Sequence, residues 1–172
     1  GNLTYNHLVD GNSVENYETK GNRNEKITRG GNIDSSRLIE GDEVVDQTCN
    51  GNLTKTGETK GNVHEKFTTM GNQKVEYVRG GDRNFSLTVE GNNEEEYRTK
   101  GNDNYITVTE GNASLNYETK GNLNEAYVRG GNVITTTTVG NNYENNLVVN
   151  GNAIVDETCN GNLTKTGETK GN

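Results

Sequence analysis

Hydrophobic residues recur at alternate positions within a repeat of ten residues. Gly occupies the first position of each ten-residue row in 17 of 18 cases, and Asn occupies the second in 16 of 18. Between these pairs, 33 of the 46 hydrophobic residues and all ten aromatic residues fall at row positions three, five, seven and nine. Alternation with a period of two is typical of a β-strand with one buried face. Each row is therefore predicted to be one strand that ends at a Gly-Asn corner.

The buried parity stays the same from row to row, and this indicates how the strands connect. In a two-residue hairpin, the residues on either side of the turn are paired and share a face, so the hydrophobic parity would switch at every corner. The odd positions instead remain hydrophobic, as in Phe85, Leu87 and Val89. We therefore predict an all-β fold, a β-helix or β-solenoid that turns in one sense, with residues 1–172 forming a single repetitive array.

The Gly-Asn pairs are the predicted structural residues of the corners. Gly permits a left-handed or strained backbone, and Asn tolerates the left-handed region and bonds its neighbours. Representative pairs are Gly11-Asn12, Gly51-Asn52 and Gly91-Asn92. The absence of Pro agrees with this prediction, because stacked strands use nearly every backbone N–H group.

Two windings satisfy the constant parity: a single-chain solenoid with two or three rows per coil, and three intertwined chains. Arg-Gly pairs recur every five rows, beginning at Arg29, Arg79 and Arg129. Five is a multiple of neither two nor three, so in a single chain these residues would lie on changing faces, whereas every layer of a symmetric trimer is equivalent. The pattern favours self-association as an intertwined homotrimer over a single-chain solenoid that stacks into a fibril.

Three rows share a Val-x-Gly-Asn element: Val9-Asp10-Gly11-Asn12, Val89-Glu90-Gly91-Asn92 and Val149-Asn150-Gly151-Asn152. This element resembles the triple-stranded β-helix of phage tail spikes and of the VgrG proteins of type VI secretion. The commonest unit of that family is an octapeptide, whereas the unit here has ten residues. The resemblance implies a homotrimeric rod that punctures or transmits force and has no active site in this region.

Composition and charge narrow the classes of function. Hydrophobic residues make up 27% of the chain, and a formal net charge of -8 disfavours binding to nucleic acid. The longest apolar runs are three residues, so no membrane span is predicted. The first residues are already in register with the repeat and follow no leader segment, so we expect an excerpt of a longer chain.

Two Cys residues occupy row position nine, where 14 of 17 rows carry a β-branched residue or Cys. Cys49 and Cys159 are eleven rows apart, so a disulfide within one chain is excluded under either winding. We predict buried free thiols in place of Val or Thr, and the alternative is a bridge between chains.

Arg29, Arg79 and Arg129 take position nine in the other three rows. An unpaired buried charge is costly, so we expect Arg29 to pair with Glu25 on the same face. Arg129 is expected to pair with Glu125 in the same way, and Arg79 needs another partner. The alternative for these inward guanidinium groups is an axial anion or water site.

Charged residues concentrate at row position five, which predicts that this part of the inner face is open to solvent. They are Glu15, Glu25, Lys55, Glu65, Glu95, Glu125 and Lys165.

The sequence predicts no catalytic, cofactor or metal site, since His7 and His64 have no second His or Cys at ligand spacing. We expect a non-catalytic structural rod, a segment of an extracellular, cell-surface or virion fibre or spike. The alternatives are a single-chain solenoid that stacks into a fibril and an adhesin or ice- or carbohydrate-binding solenoid. Outward positions mix Thr with Glu, Asn and Lys, which disfavours the flat Thr array that ice binding needs.

Overall fold

Seventeen β-strands of seven residues, separated by three-residue corners, make up the fold. The structure is a computed structural model and describes residues 1–171. The strands are β1 (Leu3–Val9), β2 (Ser13–Thr19), β3 (Arg23–Arg29), β4 (Ile33–Ile39), β5 (Glu43–Cys49), β6 (Leu53–Thr59), β7 (Val63–Thr69), β8 (Gln73–Arg79), β9 (Arg83–Val89), β10 (Asn93–Thr99), β11 (Asp103–Thr109), β12 (Ala113–Thr119), β13 (Leu123–Arg129), β14 (Val133–Val139), β15 (Tyr143–Val149), β16 (Ala153–Cys159) and β17 (Leu163–Thr169).

The strands form two sheets, and the strands within each sheet are parallel. Consecutive strands lie in different sheets, because the chain passes from one sheet to the other at every corner. The odd-strand sheet contains nine strands from β1 to β17, and the even-strand sheet contains eight from β2 to β16. Each residue pairs with the residue 20 positions later, as Tyr105 does with Glu125. One coil therefore contains 20 residues, two strands and two corners, and the chain makes roughly eight coils. At a rung spacing of about 4.8 Å, the solenoid is roughly 40 Å long.

The prediction of an all-β solenoid is confirmed. The strand pairs are parallel, and residues 1–171 contain no helix. In β9, the odd-position residues Phe85, Leu87 and Val89 are buried, whereas the even-position residues between them are exposed. Reversing hairpins would have produced antiparallel pairs, so the constant parity of the sequence correctly indicated one sense of turning. The structure contains one chain, and the intertwined trimer stays a prediction.

The interior of the solenoid is narrow and largely polar. Among the described residues, 24 hydrophobic and 28 polar or charged residues are buried. The buried cations and carboxylates concentrate between β2 and β11, and a run of aromatic rings from Phe67 to Tyr117 overlaps the end of this region. Phe85 stacks on Tyr105 one coil later, with ring centroids 5.3 Å apart. Because each coil supplies only a few inward side chains, the fold depends on matching them between coils.

Candidate functional site

The side chains of the corner Asn residues form two ladders along the solenoid. From residue 2 to residue 142, the Oδ1 atom at row position two accepts the backbone N–H of the corner residue one coil later, as Asn92 does from Asn112 at 2.9 Å. The side chain thereby acts as an additional carbonyl at the point where the chain leaves the strand ladder. Asp is an equivalent acceptor, because Asp82 Oδ1 accepts the N–H of Asn102 at 2.7 Å. This equivalence explains why Asp replaces Asn at two corners.

The corner Gly residues are needed mainly for close stacking, since most of them do not use the left-handed backbone that Gly permits. Positive φ occurs at Gly11 (113°) and Gly57, and at no non-Gly residue of the described chain. At Gly91, a Cβ atom would lie 2.6 Å from the carbonyl oxygen of Gly71 and 2.7 Å from Oδ1 of Asn72. The preceding coil therefore leaves no space for a side chain at this corner.

Cys49 and Cys159 are both free thiols in this chain. Cys49 is buried at the end of β5, where burial raises the pKa of its thiol, and its Sγ lies 3.3 Å from the carbonyl oxygen of Gly51. Cys159 ends β16 and is partly exposed. The offset of eleven rows places the two residues in different sheets.

Arg29 pairs with Glu15 and not with Glu25, so the predicted partner is wrong. Arg29 lies in the odd-strand sheet and Glu15 in the even-strand sheet, and the pair therefore connects the two sheets. Glu25 is already engaged, since it accepts a hydrogen bond from Arg23 Nε at 3.0 Å and pairs with Arg37 at 3.3 Å. Sequence reasoning considered partners on one strand only, whereas the carboxylate is shared with the opposite sheet.

Arg79 binds a carboxylate from the opposite sheet. Its Nη2 atom pairs with Glu65, which also binds Lys55, and all three side chains are buried. Burial by itself raises the pKa of Glu65, but the opposite charges of Arg79 and Lys55 outweigh this effect and lower it. The guanidinium group also lies 4.3 Å from the ring centroid of Tyr77 and 4.5 Å from that of Tyr97. A shared carboxylate and two aromatic faces thus stabilise the buried charge.

Arg129 is held by hydroxyl groups, and its predicted ion pair with Glu125 is wrong. Its Nη1 atom donates to Thr107 Oγ1 at 2.8 Å and to Thr109 Oγ1 at 3.2 Å. The guanidinium lies 4.8 Å from the ring centroid of Tyr127. Its Nε and Nη2 atoms have no hydrogen-bond partner among residues 1–171, although the side chain is buried.

Glu125 is occupied by a different contact, which explains why Arg129 lacks it. The hydroxyl of Tyr143 donates to Glu125 Oε2 at 2.7 Å. Burial raises the pKa of Glu125 to about 7, even though this hydrogen bond and the charge of Arg129 act to lower it. In Glu43, opposite charges outweigh burial. Burial would raise the pKa of its carboxyl, but the nearby charges of Lys55 and Arg37 lower it to about 2.

Row position five lies in the interior, and the prediction that it is open to solvent is wrong. Of the seven charged residues at this position, the first six are buried, and Lys165 in the last strand is exposed. Glu95 illustrates how such a group is stabilised. Its Oε2 atom accepts hydrogen bonds from the hydroxyls of Tyr105 and Tyr117, each at 2.5 Å. Contacts between coils thus replace the solvent that the sequence argument expected.

The outward side chains form columns with a spacing of 20 residues, which reading row by row missed. Row position eight of the odd-strand sheet carries one continuous β-branched column: Thr28, Thr48, Thr68, Thr88, Val108, Val128 and Val148. The adjacent column at position six includes Lys26, Asp46 and Lys66. The signal is present in the sequence, but it appears only when every second row is compared.

The described residues contain no cluster suited to a metal ion, that is, no group of three or more His, Cys, Asp or Glu. The hydroxyl of Tyr5 lies 2.6 Å from Nδ1 of His7 in β1, and His64 lies on the exposed face of β7. Residues 1–171 also lack a helix of the length and apolarity needed to cross a membrane.

The open grooves on the outer surface include one on each sheet. The larger, of about 710 Å³, follows the even-strand corners and includes Asn52, Asn72, Asn92, Asn112 and Asn132. Its charged residues, Lys74 and Glu94, pair with each other at 2.7 Å. The smaller, of about 310 Å³, lies on the odd-strand sheet around Val108, Ala126 and Val128. Both grooves cross several coils, a shape suited to contact with an extended partner.

No protein-family model, curated protein or solved structure matches this chain.

Proposed function

We propose that this chain is a structural rod, a non-catalytic segment of an extracellular or virion fibre or spike. The main support is the uninterrupted backbone ladder, in which each strand pairs with the strand two rows later through all the coils. Side-chain bonds continue this ladder at the corners, as between Asn92 and Asn112. In such an array each coil contacts only its neighbours, so stability grows with the number of coils.

The interior supports the same proposal, because its charged side chains are used to hold coils together. Glu65 binds cations from two strands of the even-strand sheet, Lys55 and Arg79. Buried ion pairs of this kind favour one register over others, since a shift by one coil would leave charges unpaired. A rod that keeps its register under load needs this property.

The proposed rod is a single-chain solenoid, and the intertwined homotrimer is the alternative assembly. In the single-chain winding, Arg29 and Arg129 lie in the odd-strand sheet and Arg79 in the even-strand sheet. Each has its own set of partners, so a recurrence of five rows causes no misfit.

Sedimentation equilibrium combined with electron microscopy tests the rod and its assembly. A single-chain rod gives a mass of 18.8 kDa, or a series of its multiples for end-to-end fibrils, with particles of constant width. A discrete mass of three times 18.8 kDa, with rods near 80 Å, supports the trimer. Globular particles or chains without β-structure by circular dichroism would contradict the structural role.

A second candidate function, adhesion to a carbohydrate, is favoured by the larger groove. The Oδ1 atoms of its Asn residues accept backbone N–H groups at 2.8–3.0 Å, which leaves the Nδ2 groups as donors in a regular row. Isothermal titration against soluble polysaccharides tests this function, with binding expected to weaken when Ser114 on the groove is replaced by Glu. Ice binding is a further proposal, and the absence of thermal hysteresis would exclude it.

A further inference from the structure

The outer face of β11, β13 and β15 exposes a compact apolar surface. We call it the valine face, and it consists of Ile106, Val108, Ala126, Val128 and Val148. Its three Val residues are register partners in consecutive rungs, and between 37% and 43% of each remains exposed. A continuous apolar column on an otherwise polar chain requires a physical explanation, because exposed apolar patches of this kind mark contact sites.

The surroundings of the valine face are almost free of charge. The strands β9 to β17 of the odd-strand sheet have 15 outward positions at row positions four, six and eight, and two of them are charged, Glu144 and Glu168. The corresponding 15 positions of β8 to β16 in the even-strand sheet include seven charged residues. Depletion of charge around an apolar centre is the compositional signature of a protein interface.

We infer that the valine face is the contact surface between two copies of this chain, related by a two-fold axis that is parallel to the strands and lies in the interface, over β13. This axis places Val128 opposite Val128 of the second copy and Val108 opposite Val148 of the second copy. A self-complementary patch of this kind is what a two-fold dimer requires.

The charges at the edge of the face agree with this axis. Glu144, at row position four of β15, then faces Asn104 of the second copy, and Glu168 of β17 faces Thr88 of the second copy. A two-fold axis along the solenoid would instead place position four against position eight and bring Glu144 over Val148 of the second copy. The axis parallel to the strands therefore avoids both like-charge contacts and charges on apolar surface.

The available area is sufficient for a specific but weak dimer. Five strands at about 4.8 Å spacing, each of seven residues at about 3.3 Å, cover roughly 550 Å² per copy. The total of roughly 1,100 Å² lies at the lower limit for a biological interface, so the dimer is expected to depend on concentration. This lateral pairing is independent of the end-to-end stacking of rods and of the trimer.

Sedimentation velocity over two decades of concentration tests the inference with three forms of the chain. The natural chain is expected to move from 18.8 kDa towards twice that mass as concentration rises. Val128→Lys is expected to remain monomeric, because it places two Lys side chains against each other at the axis. Ile134→Lys is the matched control: it adds the same charge at an exposed apolar residue of the even-strand sheet and is expected to dimerise normally.

Three results would overturn the inference: a natural chain that stays monomeric, a Val128→Lys chain that still dimerises, or an Ile134→Lys chain that loses the dimer equally. Circular dichroism and thermal melting show whether each variant is folded. If Val128→Lys does not fold, the double variant Val108→Thr, Val148→Thr keeps the β-branched shape and is expected to weaken the dimer at least tenfold. An unchanged dimer in that variant also overturns the inference. Where end-to-end stacking or a trimer also occurs, it is expected to be the same in the natural chain and in every variant, which separates failure of this inference from failure of the proposed rod.

Discussion

Arg83 and Asp103 form a two-point ion pair inside the solenoid and are register partners one coil apart. Arg83 Nε lies 2.6 Å from Asp103 Oδ1, and Nη2 lies 2.7 Å from Oδ2. Both residues are buried, and they are paired across the ladder between β9 and β11. Two-point contacts between guanidinium and carboxylate groups are strong and directional, so this pair fixes the register of adjacent coils.

Replacing Asp103 with Asn is expected to lower the free energy of unfolding by about 3 kcal/mol, because Arg83 then keeps a buried charge without its counter-ion. Urea unfolding measures this loss. Glu94→Gln is the control, since Glu94 and Lys74 are also one coil apart but on the exposed surface, 2.7 Å from each other. The control is expected to lose much less, because solvent screens an exposed ion pair. Equal losses in the two variants would show that burial does not govern the strength of these pairs.

Glu125 is expected to make the protein less stable as the pH rises from about 4.5 to 7. Burial raises the pKa of this carboxyl from 4.5 to about 7 in the folded chain. Between these values the folded state binds a proton that the unfolded state has released, so the free energy of unfolding falls with pH. The full decline is on the order of 3 kcal/mol and is complete above pH 7.

Denaturant unfolding of the natural chain and of Glu125→Gln, at pH 5 and pH 8, measures this contribution. The variant is expected to match the natural chain at pH 5 and to be more stable at pH 8, because the amide carries no charge to bury. Glu118→Gln, at an exposed position of β12, controls for the change in net charge. If the natural chain and Glu125→Gln have equal stability at pH 5 and also at pH 8, the raised pKa of Glu125 is contradicted.

The corner ladder is expected to tolerate Asp but not Ala. Asn112 Oδ1 accepts the N–H of Asn132 at 2.9 Å, and a carboxylate can accept the same bond. Asn112→Ala removes the acceptor and is expected to cost about 1 kcal/mol in the free energy of unfolding, whereas Asn112→Asp costs less. Amide hydrogen exchange at residue 132 reports the bond directly. Equal protection in all three chains would show that Asn112 has no capping role.

Substitution of a corner Gly is expected to be more damaging. Gly91→Ala places a methyl group 2.6 Å from the carbonyl oxygen of Gly71, and the resulting displacement of backbone is expected to cost about 1–3 kcal/mol. Gly1→Ala is the matched change at a repeat Gly before β1, where a Cβ atom meets nothing within 4 Å. Thermal melting distinguishes the two variants. Similar melting temperatures for both would refute the stacking requirement.

The two thiols are expected to react at different rates with a chromogenic disulfide reagent. Cys159 is partly exposed and is expected to react in the folded chain. Cys49 is buried, burial raises the pKa of its thiol, and it is expected to react only after unfolding. Cys159→Ser should leave a single slow phase. Two fast thiols would contradict the burial of Cys49, and the absence of reactive thiols with a non-reducing dimer band would support bridges between chains.

The contacts of the inward Arg residues were beyond the reach of sequence reasoning. For Arg79 the sequence indicates no partner, and the structure places its guanidinium against Glu65 of the opposite sheet. Arg29 was assigned to Glu25 because the two residues share a strand and a face, but Glu15 in the other sheet is its partner. The energy of a buried charge depends on all neighbouring groups, and those groups come from rows that the sequence does not place side by side.

The sequence by itself determined the strand rows, their inward parity and the single sense of turning, because alternation and corner chemistry are local properties of a ten-residue row. Only the tertiary structure decided that two rows complete one coil, since the parity is identical for two or three rows. Every contact between residues 20 positions apart follows from this coil length of two rows. Such contacts include the ion pair of Arg83 with Asp103 and the outward column that ends in Val128 and Val148. These contacts join residues distant in the chain, and their energies exist only once the coils are stacked.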